Sequence, residues 1–85
     1  MGSHRSEPAR IAVVDDDAAV CQSISSLVRS VGYRCRAYQS AEAFLESGGL
    51  DETDCILLDI RMPGMDGLTL HLALIRMNYR IPVIY

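Results

Sequence analysis

The stretch Cys55-Ile56-Leu57-Leu58-Asp59-Ile60-Arg61-Met62-Pro63-Gly64-Met65-Asp66-Gly67 constrains this chain more than any other. An apolar run of strand length stops at one carboxylate and then breaks into a proline and glycine loop. Bounded by Asp54 before it and by Pro63-Gly64 after it, the run reads as a parallel strand buried on both faces. Asp59 then stands at the C-terminal end of that strand, where open α/β sheets place their ligand and reaction sites. Pro63 steers Met62 away from helical angles, while Gly64 and Gly67 permit a backbone path that residues with side chains resist. A carboxylate is thus presented at the rim of a sheet by a stiff loop.

A second apolar run ends the same way, because Arg10-Ile11-Ala12-Val13-Val14 leads into Asp15-Asp16-Asp17. Val20, Ile24, Leu27, Val28 and Val31 follow at intervals of three and four, which predicts a helix with one apolar stripe, closed by Gly32 as a left-handed cap. Residues 33–38 alternate, with Arg34 and Arg36 on one side and Tyr33, Cys35 and Ala37 on the other, as an edge strand blunted by charge would. Ser40 is placed to cap a short helix carrying Ala41, Phe44 and Leu45 and ending at Ser47-Gly48-Gly49. Residues 50–54 form the loop into the central strand. Asp66 caps a third helix over residues 68 to about 78, and residues 81–85 read as a fourth strand. That third helix carries two apolar stripes, Leu68, Leu72, Ile75 and Tyr79 on one side and Leu70, Ala73, Leu74 and Met77 on the other. Only one stripe can face the sheet fully, so the other expects a second partner.

At 85 residues the chain holds one small domain, which buries a smaller share of its surface than a domain of typical size. A formal charge of −3 gives no electrostatic case for nucleic acid, and no direct nucleic-acid contact is expected. No segment approaches the roughly 20 apolar residues that span a bilayer, and the N-terminus lacks a signal peptide's apolar core, so a cytoplasmic protein without a membrane partner is expected. Cys21, Cys35 and Cys55 are odd in number and show no CxxC or Cys/His spacing, which suggests buried thiols rather than disulfides or zinc. Met1-Gly2-Ser3-His4 reads as a tag remnant, with residues 1–9 as tag and disordered lead-in. His4 and His71 have no ligand spacing around them and read as tag and surface histidines.

Val13-Val14-Asp15-Asp16-Asp17, Leu57-Leu58-Asp59, Met62-Pro63-Gly64-Met65-Asp66-Gly67 and Ile81-Pro82-Val83-Ile84 together carry a resemblance. From about Arg10 to Tyr85 the chain resembles the receiver domain of bacterial two-component response regulators, most of all the FixJ and NarL type. The resemblance implies an α/β fold, a flavodoxin-like doubly wound parallel sheet. Right-handed crossovers agree with strand order 2-1-3-4, which gathers Asp15, Asp16 and Asp59 between strands 1 and 3. A full receiver adds a Thr or Ser after the fourth strand, a fifth strand ending in Lys, and two last helices. Residues 10–85 match a partial receiver domain without these, so phosphotransfer is expected to be impaired. Self-association is expected through the fourth-strand edge or the exposed apolar helix faces.

Three carboxylates brought together repel one another unless a cation sits among them, and Mg2+ suits oxygen donors of this kind. The resemblance implies Asp16 and Asp59 as direct ligands, Asp15 as a ligand directly or through water, and the backbone carbonyl of Arg61 as another. It also implies that Asp59 is the phosphoryl acceptor, taking its group from the phosphohistidine of a sensor histidine kinase, in a domain that is not itself an enzyme. Asp17 reads as the start of the first helix, and Arg61, Met62 and Met65 as partner-facing or packing residues. Two rivals stand beside this. A haloacid-dehalogenase-like phosphatase also carries Asp-x-Asp after its first strand, with Asp15 as nucleophile here, but Ala19 occupies the usual Thr or Val position and the chain is short for the rest of such a site. A phosphorylation-independent dimerisation or interaction fragment would share the fold.

Overall fold

The computed structural model describes residues 8–85, so residues 1–7 of the expected tag and lead-in at 1–9 lie outside the described residues. Four strands and three helices alternate: β1 (Arg10–Val14), α1 (Ala18–Ser30), β2 (Arg34–Tyr38), α2 (Ala41–Glu46), β3 (Cys55–Leu58), α3 (Gly67–Arg76) and β4 (Val83–Ile84). The expected loop before β3 contains one 3₁₀ turn, Leu50–Glu52. The expected fourth strand is shorter in the structure, because only Val83 and Ile84 pair with β3. The sheet is parallel throughout, in the order β2-β1-β3-β4. Ala9 already joins the ladder, its carbonyl accepting from the Arg34 N–H at 3.0 Å.

Side-chain alternation along β1 and β3 divides the interior in two. Ala12, Val14, Ile56 and Leu58 point to one face and pack with Ala41 and Phe44 of α2 and with Leu70 and Leu74 of α3. Val13 points the other way and packs with Cys35 of β2 and Cys21 of α1, with Leu57, Ile24 and Val28 around them. Helices thus cover both faces of β1, whereas β3, expected to be buried on both faces, is fully covered only on the α2 and α3 side, because α1 packs over β1 and β2 and leaves Cys55 and Leu57 half-buried. Phe44 is fully buried and meets Tyr38 edge-on at a 5.3 Å ring separation. Burial of a ring this size stabilises the fold by about 2–3 kcal/mol.

α1 does not bury the stripe its hydrophobicity suggests. Cys21 and Ser25 are buried and Ile24 and Val28 half-buried, whereas Leu27 is 66% and Val31 65% exposed. Small side chains decide this register, because they let the helix axis come close to the sheet. The Cys35 thiol lies 3.4 Å from the Ser25 hydroxyl, and the Cys21 thiol donates to the Asp15 carbonyl at 3.1 Å. The helix ends as expected at Gly32, with φ near +100°. The Gly32 N–H bonds the Arg29 carbonyl and the Tyr33 N–H the Val28 carbonyl, the paired bonds of a Schellman motif.

α3 ends in the same motif on a residue the sequence did not single out. Asn78 adopts φ +66°, its N–H bonds the Ile75 carbonyl, and the Tyr79 N–H bonds the Leu74 carbonyl. Of the two apolar stripes, the one with Leu70 and Leu74 faces the sheet. Leu68, Leu72 and Ile75 are 53%, 55% and 58% exposed. Gly67 sets this choice. A Cβ there would lie 2.4 Å from the Asp59 carbonyl oxygen, so the position without a side chain must face β3, and Leu70 and Leu74 follow it on the same side.

Candidate functional site

The parallel register of β1 and β3 builds the site. Val14 pairs with Leu58, so Asp15 and Asp59 are the next residues along neighbouring strands. Each holds the last rung of a ladder: the Asp15 N–H donates to the Tyr38 carbonyl at 3.0 Å and the Asp59 N–H to the Val14 carbonyl at 2.9 Å. Beyond these rungs the carboxylates of Asp15, Asp16 and Asp59 each offer an oxygen, and the three oxygens lie within 4.8 Å of one another. Asp15 and Asp59 are half-buried and Asp16 is exposed. A shallow groove lined by Val13, Asp15, Leu57, Asp59, Arg61 and Tyr85 opens beside them.

Local turns orient each acid. Asp15 Oδ1 accepts the Asp17 N–H at 2.9 Å, which folds the chain sharply after β1. Asp17 stands outside the cluster and caps α1, accepting from the Ala19 and Val20 N–H groups at 2.9 and 3.2 Å. Asp59 Oδ1 accepts the Arg61 N–H at 3.2 Å, which makes its two oxygens inequivalent and brings the Arg61 backbone to the site. Asp66 caps α3 through the Thr69 N–H at 2.8 Å, and that hydrogen bond holds its carboxyl below the usual aspartate range. Burial, reinforced by the charge of Asp15, pushes the Cys21 thiol up, and burial does the same to Cys55. Cys21 and Cys35 are buried as expected, and Cys55 is half-buried.

Met62 is buried in the core beside α2, and Met65 packs partly against it. His71 is half-buried on α3, where its Nδ1 hydrogen-bonds the Tyr85 hydroxyl, while His4 lies outside the described residues. One residue escaped the sequence reading. Glu42, in the first turn of α2, accepts the Met65 N–H at 3.2 Å and so reaches the loop after Asp59 from 23 positions away. No periodicity or local motif signals a contact at that separation. A separate concavity runs along β2 and the start of β1, lined by Arg10, Arg34, Arg36, Tyr38, Gly49 and Thr53, and Arg10 pairs with Glu52 there at 3.1 Å.

The donor set of the acid cluster is all oxygen, with no histidine or cysteine in it. Hard divalent cations favour such donors, and Mg2+ in particular takes one or two carboxylates and keeps part of its water. The residues present therefore fit a Mg2+ ion. Among the described residues, no helix is long and apolar enough to cross a membrane.

Comparison with known proteins agrees with this architecture. The response regulator receiver domain family matches residues 11–85. The response regulator protein TmoT of Ectopseudomonas mendocina is 45% identical over 75 residues, covering 88% of this chain and 34% of its own. The transcriptional regulatory protein FixJ of Azorhizobium caulinodans is 42% identical over 64 residues, covering 75% of this chain and 30% of its own. The structure of the response regulator StyR superposes with a TM-score of 0.84 at 36% identity, covering 89% of this chain and 38% of that one. The chain thus spans about a third of the length of the curated relatives it matches. With the parallel 2-1-3-4 sheet, the family match over nearly all the described residues and relatives that include FixJ, the chain belongs to the response regulator receiver domains.

Proposed function

We propose that Asp59 is the phosphoryl acceptor of this receiver domain and that Asp15, Asp16, Asp59 and the backbone carbonyl of Arg61 hold a Mg2+ ion beside it. The observation that carries this reading is the convergence of three carboxylates from two strand ends to within 4.8 Å. Receiver domains are signalling domains, and response regulators pair with sensor histidine kinases. The donor in this reading is a kinase phosphohistidine. An oxygen of Asp59 attacks the phosphorus of a phosphohistidine protonated on its other ring nitrogen, the bond from phosphorus to the imidazole nitrogen breaks, and an acyl phosphate forms on Asp59 while the histidine leaves as neutral imidazole that keeps that proton. A bound Mg2+ would offset negative charge on the transferring group.

The protein's own residues prepare that step. The Arg61 N–H holds one oxygen of Asp59 and so orients the other. Asp17 and Asp66 spend their carboxylates on helix caps, which leaves the cluster to Asp15, Asp16 and Asp59. All eight basic residues are arginines, so these 85 residues offer no lysine amine to pair with phosphoryl oxygens, and transfer to them is expected to be slow. The test is beryllofluoride binding with Mg2+ followed by 19F NMR, and acetyl-phosphate labelling read by peptide mass mapping. Beryllofluoride is expected at Asp59 and acetyl-phosphate labelling there only weakly, both lost in Asp59→Asn, and robust labelling would contradict the expected impairment. Modification at Asp15 would instead favour the haloacid-dehalogenase-like reading.

A further inference from the structure

The loop between Asp59 and α3 is held differently on its two sides. On the inner side, Met62 is buried with Ala41 and Phe44, and the Gly67 N–H bonds the Ile60 carbonyl at 3.0 Å. The outer turn, Pro63-Gly64-Met65, carries no buried residue. There Gly64 turns the chain at φ +74°, and the next N–H, of Met65, donates to Glu42 Oε2 at 3.2 Å. A Cβ on Gly64 would come within 2.9 Å of that same oxygen, so the loop backbone lies directly against the carboxylate. Glu42 reaches from a fixed base. Ser40 caps α2 through the Ala43 N–H at 3.0 Å, and Ala41 and Phe44 are fully buried.

We propose that Glu42 is a positioning residue that clamps residues 63–65 onto α2 and thereby sets where the Arg61 backbone stands beside Asp59. This rests on the reading of Asp15, Asp16 and Asp59 as a Mg2+ and phosphoryl site, and adds to it a residue from a third element. The physical need comes from Gly64. A glycine turn samples several backbone basins when nothing fixes it, and a charge-assisted hydrogen bond to the following N–H selects one. In that basin the Arg61 backbone keeps its bond to Asp59, and the loop keeps its face toward the site.

Amide hydrogen exchange and NMR titration of Glu42→Ala, Glu42→Asp, Glu42→Gln and Asp59→Asn in this 85-residue chain test the clamp. The Met65 amide loses protection in Glu42→Ala and in Glu42→Asp, which keeps the charge in the first turn of α2 but falls one methylene short. Glu42→Gln, with an acceptor oxygen at full reach, restores most of it. The Mg2+ Kd, read from the Asp59 amide shift, weakens about fivefold in the Ala and Asp variants, the size expected of one exposed hydrogen bond, and recovers most of the way to wild type in Gln. A Met65 amide equally protected in all four Glu42 backgrounds, or an unchanged Mg2+ Kd in Glu42→Asp, overturns the proposal. Undiminished Mg2+ binding by Asp59→Asn would sink the metal reading instead, and Met65 exchange would still judge the clamp because it needs no ion.

Discussion

Gly67 carries no functional group, yet the site cannot be built with a side chain in its place. Its missing Cβ lets the start of α3 sit against the Asp59 carbonyl, and Gly67→Ala would force an atom to 2.4 Å from that oxygen and 3.0 Å from the Ile60 Cα. Backbone cannot yield as a flexible side-chain tip can. Gly67→Ala is therefore expected to destabilise by about 2 kcal/mol or more, read from urea unfolding. Asp66, next to it, makes a pH prediction. Its carboxyl titrates below the ordinary range because the Thr69 N–H stabilises the anion, so its contribution to stability is present above the unfolded aspartate pKa and is lost as pH falls through the lower folded value. The stability gap between wild type and Asp66→Ala should narrow as the solution is acidified through that window, and a gap that widens there would contradict the cap.

At the scale of elements, hydrophobic periodicity located α1 and α3, and a cap and a glycine stop located α2, but neither signal said how each helix is turned. α3 presents two stripes of similar apolarity, and the close approach at Gly67 selects Leu70 and Leu74. Leu70→Ala should cost about 2–5 kcal/mol, and Leu72→Ala no more than about 0.5, measured by denaturant midpoint at equal slope. In α1 the small residues Cys21 and Ser25 lie against the sheet while Leu27 and Val31 remain outside. A reading by hydrophobicity alone weights side-chain size and misses that close helix-to-sheet packing favours small ones. Helix ends were more legible. Ser40, Asp17 and Asp66 cap where a side-chain oxygen precedes the helical pattern, and Gly32 stops α1, whereas Asn78 performs the same stop on α3 with a residue that reads as ordinary helix surface.

For the whole molecule, two properties follow from what is covered and what is not. Leu68, Leu72 and Ile75 make an exposed apolar stripe on α3, with Ile84 and Tyr85 also more than half exposed. Such surface favours association. Sedimentation of these 85 residues should show oligomers at high concentration, and Leu72→Glu with Ile75→Glu should return the monomer. On the proposed metal reading, Mg2+ at about a hundred times its Kd should raise the unfolding free energy by about 2.7 kcal/mol, an increment that Asp16→Asn and Asp59→Asn each reduce. The sequence by itself determined the alternation of strands and helices, the acid at the end of each central strand and the caps, because each of these depends on residues a few positions apart. It also placed the chain in its family through motifs that are local runs. Only the tertiary structure decided which face of α1 and α3 is buried, that Glu42 meets the Met65 N–H, and how close the three carboxylates stand. Those depend on how near one backbone can come to another, and that distance is set by packing across the sheet rather than by neighbours along the chain.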